Sequence, residues 1–126
     1  MLSNTRMLST LLRSDSAVQE LKAAEELDSV FQQDVAVVFK HSTTCPVSWM
    51  AHHQVTDFQS SRPEVPVYLL SVKKHREVSN ELARRTGVTH QSPQVLIFRR
   101  GSLLGSASHG EVTSGLLERL TRTSAA

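Results

Sequence analysis

The amino-acid sequence predicts an α/β domain built on a mixed central sheet flanked by helices. Three observations lead there. β-Branched apolar runs alternate with helix-length stretches, one of those runs has no polar alternation at all, and the last two are joined by a two-residue turn. Size and composition allow such a domain: 126 residues, 39% hydrophobic and 21% charged, is the mixture of one globular unit. A chain of this length buries roughly two thirds of the surface it exposes when unfolded. It needs neither disulfides nor a structural metal for that, and its single cysteine cannot form an internal bridge.

Residues 1–14 contain Arg6 and Arg13 but no acid and are rich in Leu and Ser, a composition faintly like an organelle presequence. The plainer reading is a loosely ordered leader, with Met7 available as an alternative start. The expected organisation is a flexible leader over residues 1–16 and a single domain over 17–124. A short extended piece at 18–21 precedes a helical stretch at 23–31 with Leu27, Val30 and Phe31 on one face; periodicity alone also allows one continuous helix. Val35 to Phe39 is an unbroken apolar run, as expected of a central strand buried on both faces. The polar turn His41-Ser42-Thr43-Thr44 follows, then Cys45 and Pro46, then a stretch with Met50, Val55 and Phe58 at broadly helical spacing.

Pro46 suits the first helical position, where its missing N–H would lack a partner in any case, and this makes Cys45 the N-cap. Residues 65–70 read as a second strand, with Pro66 confined to its start. Residues 77–85 read as a helix with Val78 and Leu82 inward and Gly87 as its stop. Residues 95–98 form another strand, joined through Arg100-Gly101 to a hairpin partner at 103–107, and a last helix is expected over 111–121. Helical crossovers imply parallel pairing of the early strands, and the short turn implies an antiparallel edge. The thioredoxin-like fold has this order of elements.

The chemistry centres on Cys45. A thiol at a helix start, directly after a buried strand, feels the positive end of the helix dipole and unpaired backbone N–H groups, both of which favour thiolate. Lys40 and His41 are candidates for further positive potential, and the competing reading is an inert, packed cysteine. Cys45-Pro46-Val47-Ser48 has the layout of a thioredoxin-type motif with serine in place of the second cysteine. Without a resolving thiol at Ser48, a mixed disulfide on Cys45 must be released by a thiol from outside. Ser48 itself reads either as a hydrogen-bond donor to the thiolate or as a solvated residue of the first helical turn.

Three segments, 39–48 (FKHSTTCPVS), 90–95 (HQSPQV) and Ala107-Ser108-His109, resemble the signature segments of the monothiol bacilliredoxins of the YtxJ type. Their order and spacing also fit, over roughly residues 18–120. The resemblance implies a thioredoxin fold and removal of bacillithiol from mixed disulfides on proteins. Bacillithiol would serve as co-substrate with no tightly bound cofactor, and S-bacillithiolated proteins as clients. It implies Cys45 as the nucleophile and Thr44, Pro46, Val47, Ser48 and His41 as motif or thiolate-stabilising residues. It also matches Pro93 to the cis-proline facing the active cysteine, which makes Ser92 and Pro93, with His109, the substrate-positioning candidates. A cis bond there would hold the Ser92 backbone where an extended substrate could pair with it.

Other features are less specific. The six histidines include the adjacent pair His52-His53, but neighbours on a helix point about 100° apart and seldom share one ion, so no metal site is expected. His41, His90 and His109 read as ordinary hydrogen-bonding histidines, with a role at the thiolate or ligand as the sharper alternative. Lys73-Lys74-His75-Arg76 reads as a solvated loop, or as a guide for an anionic partner such as the carboxylates of bacillithiol. Trp49 either covers one side of the site or simply packs. A net charge of +2 is too small and scattered for a nucleic-acid footprint, and no apolar run approaches the roughly 18 residues of a membrane-spanning helix. The expectation is a soluble, cytoplasmic protein with no nucleic-acid or membrane partner. Two other functions stay open: an iron–sulfur cluster carrier like the monothiol glutaredoxins, and a non-catalytic thioredoxin-like binding module.

Overall fold

The structure, a computed structural model, describes residues 18–123; the expected leader at 1–16 lies outside the described residues. Five strands form one sheet in the order β1-β3-β2-β4-β5: β1 Val18–Glu20, β2 Val35–His41, β3 Val67–Ser71, β4 Gln94–Arg99 and β5 Ser102–Ser108. Four α-helices cover it: α1 Leu27–Gln32, α2 Pro46–Ser61, α3 Arg76–Thr86 and α4 Ser114–Thr123. β1 and β2 pair parallel with β3, while β4 runs antiparallel to both β2 and β5, so the sheet is mixed as the connections required. The architecture is the thioredoxin-like fold.

β2 lies in the middle and is buried along nearly its whole length. Its alternation sends Val37 and Phe39 to one face, where they meet Ala51, Val55 and Phe58 of α2 and Leu117 of α4. Ala36 and Val38 face the other way, toward Leu27 and Val30 of α1 and Val78 and Leu82 of α3. Two apolar layers on one sheet explain why the run has no polar alternation.

The differences from the sequence reading lie at element ends and faces. Residues 23–31 are not one helix: a single 3-10 turn, Ala24–Glu26, precedes α1. Glu26 Oε1 accepts the Lys22 and Ala23 N–H groups at 2.6 and 2.9 Å, which holds the chain in a turn at that point. β2 continues through Lys40 and His41, because Val72 N–H pairs with the His41 carbonyl at 3.1 Å and carries the parallel ladder past the apolar run. β3 starts at Val67, after Pro66. The last helix starts at Ser114 rather than 111, since residues His109–Glu111 form a 3-10 turn and Gln54 Oε1 takes up the Ser114 N–H at 2.9 Å. Met50 does not face the core; it is 69% exposed, and Ala51 takes that place. Gly87 ends α3 with φ +73° and donates its N–H to Ala83 O at 2.8 Å, the left-handed stop that glycine accommodates without strain.

Phe58 is fully buried between α2 and the sheet. Phe58→Ala should destabilise the domain by about 3–5 kcal/mol, read as a lowered urea midpoint with little change in m-value.

Candidate active site

The site is built where β2 gives way to α2. After His41 the chain makes a turn closed by Cys45 N–H to Ser42 O at 3.2 Å, and Cys45 becomes the N-cap of α2 in extended geometry (φ −110°, ψ 118°) with Pro46 at the first helical position. The Cys45 carbonyl accepts the Ser48 and Trp49 N–H groups at 3.1 and 3.3 Å. Its thiol is free, half-buried, and takes no part in capping the helix. Outward from this turn, Val47, Trp49 and Met50 are 40%, 44% and 69% exposed, an apolar rim beside the cysteine.

Ser48 is neither solvated nor loosely placed: it is fully buried. Its hydroxyl oxygen accepts the Ser42 N–H at 2.9 Å and pairs with His41 Nδ1 at 2.8 Å, which locks the turn from inside. His41, 3% exposed, stacks on Phe39 at 5.3 Å and meets the edge of Trp49 at 4.7 Å and the His52 ring at 5.2 Å. Burial first, then the neighbouring His52 charge, holds the His41 pKa below its ordinary value against the opposing Ser48 hydrogen bond. His52 is lowered likewise by burial and by His53. The two members of the His52-His53 pair thus diverge, one in this ring cluster and the other exposed. Trp49 covers the His41 ring and anchors itself by Nε1–H to Thr43 O at 2.9 Å. Thr44 Oγ1 lies 3.2 Å from Ser42 Oγ and receives the Lys73 ammonium at 2.6 Å, so the loop after β3 reaches the residue directly before Cys45. This contact at Thr44 ties Lys73 to the site, and nothing in the local sequence signals it.

The Ser92–Pro93 peptide bond is cis. Antiparallel pairing ends with Lys40 opposite Gln94, which places Pro93 one step on, beside the end of β2 from which the Cys45 turn departs. Pro93 O accepts the His109 N–H at 3.0 Å, and His109 itself is exposed with φ +56°. Ser92 Oγ is sealed from solvent without a hydrogen-bond partner. A groove of about 190 Å³ runs between the start of α2 and the turn at 109–113, lined by Val47, Met50, Ala51, Gln54, His109 and Val112. The register therefore sets the 92–93 segment at the end of β2 from which the Cys45 turn departs, and Val47 and His109 share the groove.

Lys40 points the other way. Alternation sends it to the α3 side of the sheet, 1% exposed, where its Nζ lies 2.6 Å from His90 Nδ1. Burial alone pushes its pKa down to about 8. His90 is lowered by burial, then by the Lys40 and Arg76 charges. Sequence reasoning singled out both residues but had no means to pair them across 50 positions.

This fold, with a lone thiol on the N-cap beside a cis-proline segment, defines a thioredoxin-fold protein of thiol redox chemistry. The chain belongs to the monothiol bacilliredoxin family: the family described as monothiol bacilliredoxin BrxC matches residues 19–117. A solved structure described provisionally as an oxidoreductase with a thioredoxin fold is 28% identical, with a TM-score of 0.81 over 86% of this chain and 97% of that one. Oxidised mitochondrial thioredoxin 3 from Saccharomyces cerevisiae matches at 20% identity and TM-score 0.69, over 87% of this chain and 98% of its own. Thioredoxin from Trypanosoma brucei brucei matches at 17% identity and TM-score 0.71, over 84% and 88%. At those identities the two thioredoxins speak for the fold alone. Among the described residues no helix is long and apolar enough to cross a membrane.

Ser48→Ala would strand the Ser42 N–H and His41 Nδ1 in a buried turn, a loss of about 1–3 kcal/mol to be read in urea unfolding. Linkage gives two pH windows. His41, His52 and His90 all have folded pKa values below 6.5, so the unfolded chain takes up protons first and stability should fall as pH drops through about 6.5. Lys40 loses its proton near 8 when folded but at 10.5 when unfolded, so its contribution rises with pH above about 8. That rise should be missing from unfolding midpoints of Lys40→Met.

Proposed function

We propose that this protein is a monothiol disulfide oxidoreductase that removes bacillithiol from S-bacillithiolated proteins in the cytoplasm. The observation that carries the reading is the lone Cys45 on the N-cap of α2, beside the cis Ser92–Pro93 segment, with a fully buried Ser48 where a resolving thiol would stand. Family membership supports the same chemistry.

The exchange starts with attack of the Cys45 thiolate on the bacillithiol sulfur of the client's mixed disulfide. The client thiolate leaves and is protonated, and Cys45 now carries bacillithiol in a disulfide. A second bacillithiol thiolate attacks the sulfur of the bound one, the Cys45 thiolate leaves, and oxidised bacillithiol departs as its symmetrical disulfide. The client sulfur is reduced to a thiol as the incoming bacillithiol sulfur takes its place in a disulfide, so the cycle needs no resident cofactor. Ser48 has no sulfur with which to shorten it.

Three features of the site support a reading of the substrate contacts. The backbone at Ser92–Pro93 offers an edge to an extended client segment, and the Val47–Met50–His109 groove offers apolar contact. Lys73, held at Thr44, supplies a cation next to Cys45 for the carboxylates of bacillithiol.

Intact mass after mixing reduced protein with an S-bacillithiolated client should show the client losing bacillithiol and the wild type gaining one adduct, while Cys45→Ser, still folded, gains none. Equal activity of the two proteins overturns the reading. Absence of transfer from a folded, reduced protein returns the function to cluster carriage or protein binding. Lys73→Met should slow transfer several-fold at low salt, with the deficit shrinking as salt screens the charge.

A further inference from the structure

We propose that the hydrogen bond between Lys40 and His90 is a positioning contact that holds the Ser92–Pro93 segment in its working place beside Cys45. Lys40 and His41 are consecutive on β2 and point to opposite faces: His41 supports the Cys45 turn through Ser48, while Lys40 reaches under the opposite loop to His90. One strand end thus braces both halves of the site.

The loop from Gly87 to Pro93 has few other polar ties: Pro93 O accepts the His109 N–H at 3.0 Å at its far end, and Val88 packs against the core. Val88 N–H bonds Thr86 Oγ1 at 3.2 Å at one end, and Gln94 Nε2 bonds Thr89 O at 3.1 Å near the other. The tie to β2 through Lys40 is the shortest of these contacts, at 2.6 Å. Ser79 Oγ on α3 lies 3.2 Å from the same ring nitrogen.

The pairing is chemically unusual. A buried ammonium ordinarily meets a carboxylate, and here no acid among the described residues pairs with it. An ammonium has only hydrogens to give, so His90 Nδ1 accepts with its lone pair and the ring proton sits on Nε2. The bond therefore exists only while His90 is neutral. A second proton on the ring removes the acceptor and sets an imidazolium against Lys40, with Arg76 on α3 the other cation acting on it. The Ser92–Pro93 segment, two and three residues on, should then loosen at mildly acid pH.

The test reads the loop directly, so it stands apart from the bacillithiol reading on which the relevance to catalysis rests. Backbone amide spectra of Thr89, Ser92, Gln94 and Val95 are followed from neutral to mildly acid pH, alongside the His90 ring signals. In wild type the amides should move with the His90 titration. In His90→Gln a carboxamide oxygen can accept from Lys40 at every pH, and that movement should vanish with neutral-pH positions retained. Lys40→Met should keep or raise the thermal midpoint, because a buried ammonium is removed, yet should show displaced loop amides at neutral pH. Its reaction with an S-bacillithiolated client should slow several-fold, while its reaction with 2-hydroxyethyl disulfide, too small to dock on the loop, stays near wild type. Loop amides that ignore the His90 titration overturn the proposal, as do wild-type loop positions in Lys40→Met. If Lys40→Met does not fold, the comparison of wild type with His90→Gln decides alone. If the loop behaves as expected and neither protein accepts bacillithiol, the tether stands and the substrate assignment falls.

Discussion

The arrangement depends on β2 being held on all sides. It pairs parallel with β3, antiparallel with β4, and has an apolar layer on each face. A strand so constrained cannot slip by one residue, because every side chain would change face. Its last two side chains inherit that certainty: His41 must face α2 and Lys40 must face α3. The turn carrying Cys45 and the loop carrying Pro93 are each built against one of them.

Burying polar groups around the Cys45 turn carries a desolvation penalty, which Ser48, His52 and Lys40 each meet in a different way, while His41 Nε2 and Ser92 Oγ stay without a partner. Ser48 satisfies a backbone N–H and a ring nitrogen at once. His41 and His52 are held neutral among aromatic rings, the form that burial tolerates. Lys40 stays satisfied by a lone pair rather than by an opposite charge. A serine at the fourth motif position is therefore more than a cysteine without its sulfur: its hydroxyl makes two hydrogen bonds, a task at which a thiol is weak.

Much of the fold was legible because it follows from short-range physics. The unbroken apolar run at 35–39 marks a strand buried on both faces, Pro46 after Cys45 marks a helix entry, and Gly87 and Arg100-Gly101 mark a stop and a hairpin; each stands where those rules place it. Errors fell where a hydrogen-bonding partner, near or distant, overrides the apolar pattern. Gln54 from another helix shapes the start of α4, Glu26 folds back on the chain before α1, and Val72 extends β2 beyond its apolar residues. Met50 has the spacing of a core residue, but the orientation of α2 on the sheet turns it to solvent.

At the site the division is sharper. The three matched segments pointed to Cys45, Ser48 and Pro93 without any coordinates, since motif residues stand in order along the chain. What each side chain touches was open: Ser48 could have been solvated, His41 could have faced the thiol, and Lys40 could have lent it charge. Sequence by itself determined the mixed α/β sheet, the thiol at a helix start and the serine in place of a resolving cysteine, because propensity, capping and motif order act over a few residues. Only the tertiary structure decided the Ser48–His41 lock, the Lys73 contact at Thr44 and the Lys40–His90 tie. Those depend on which face of β2 meets which helix, and that is settled by pairing and packing between segments tens of residues apart.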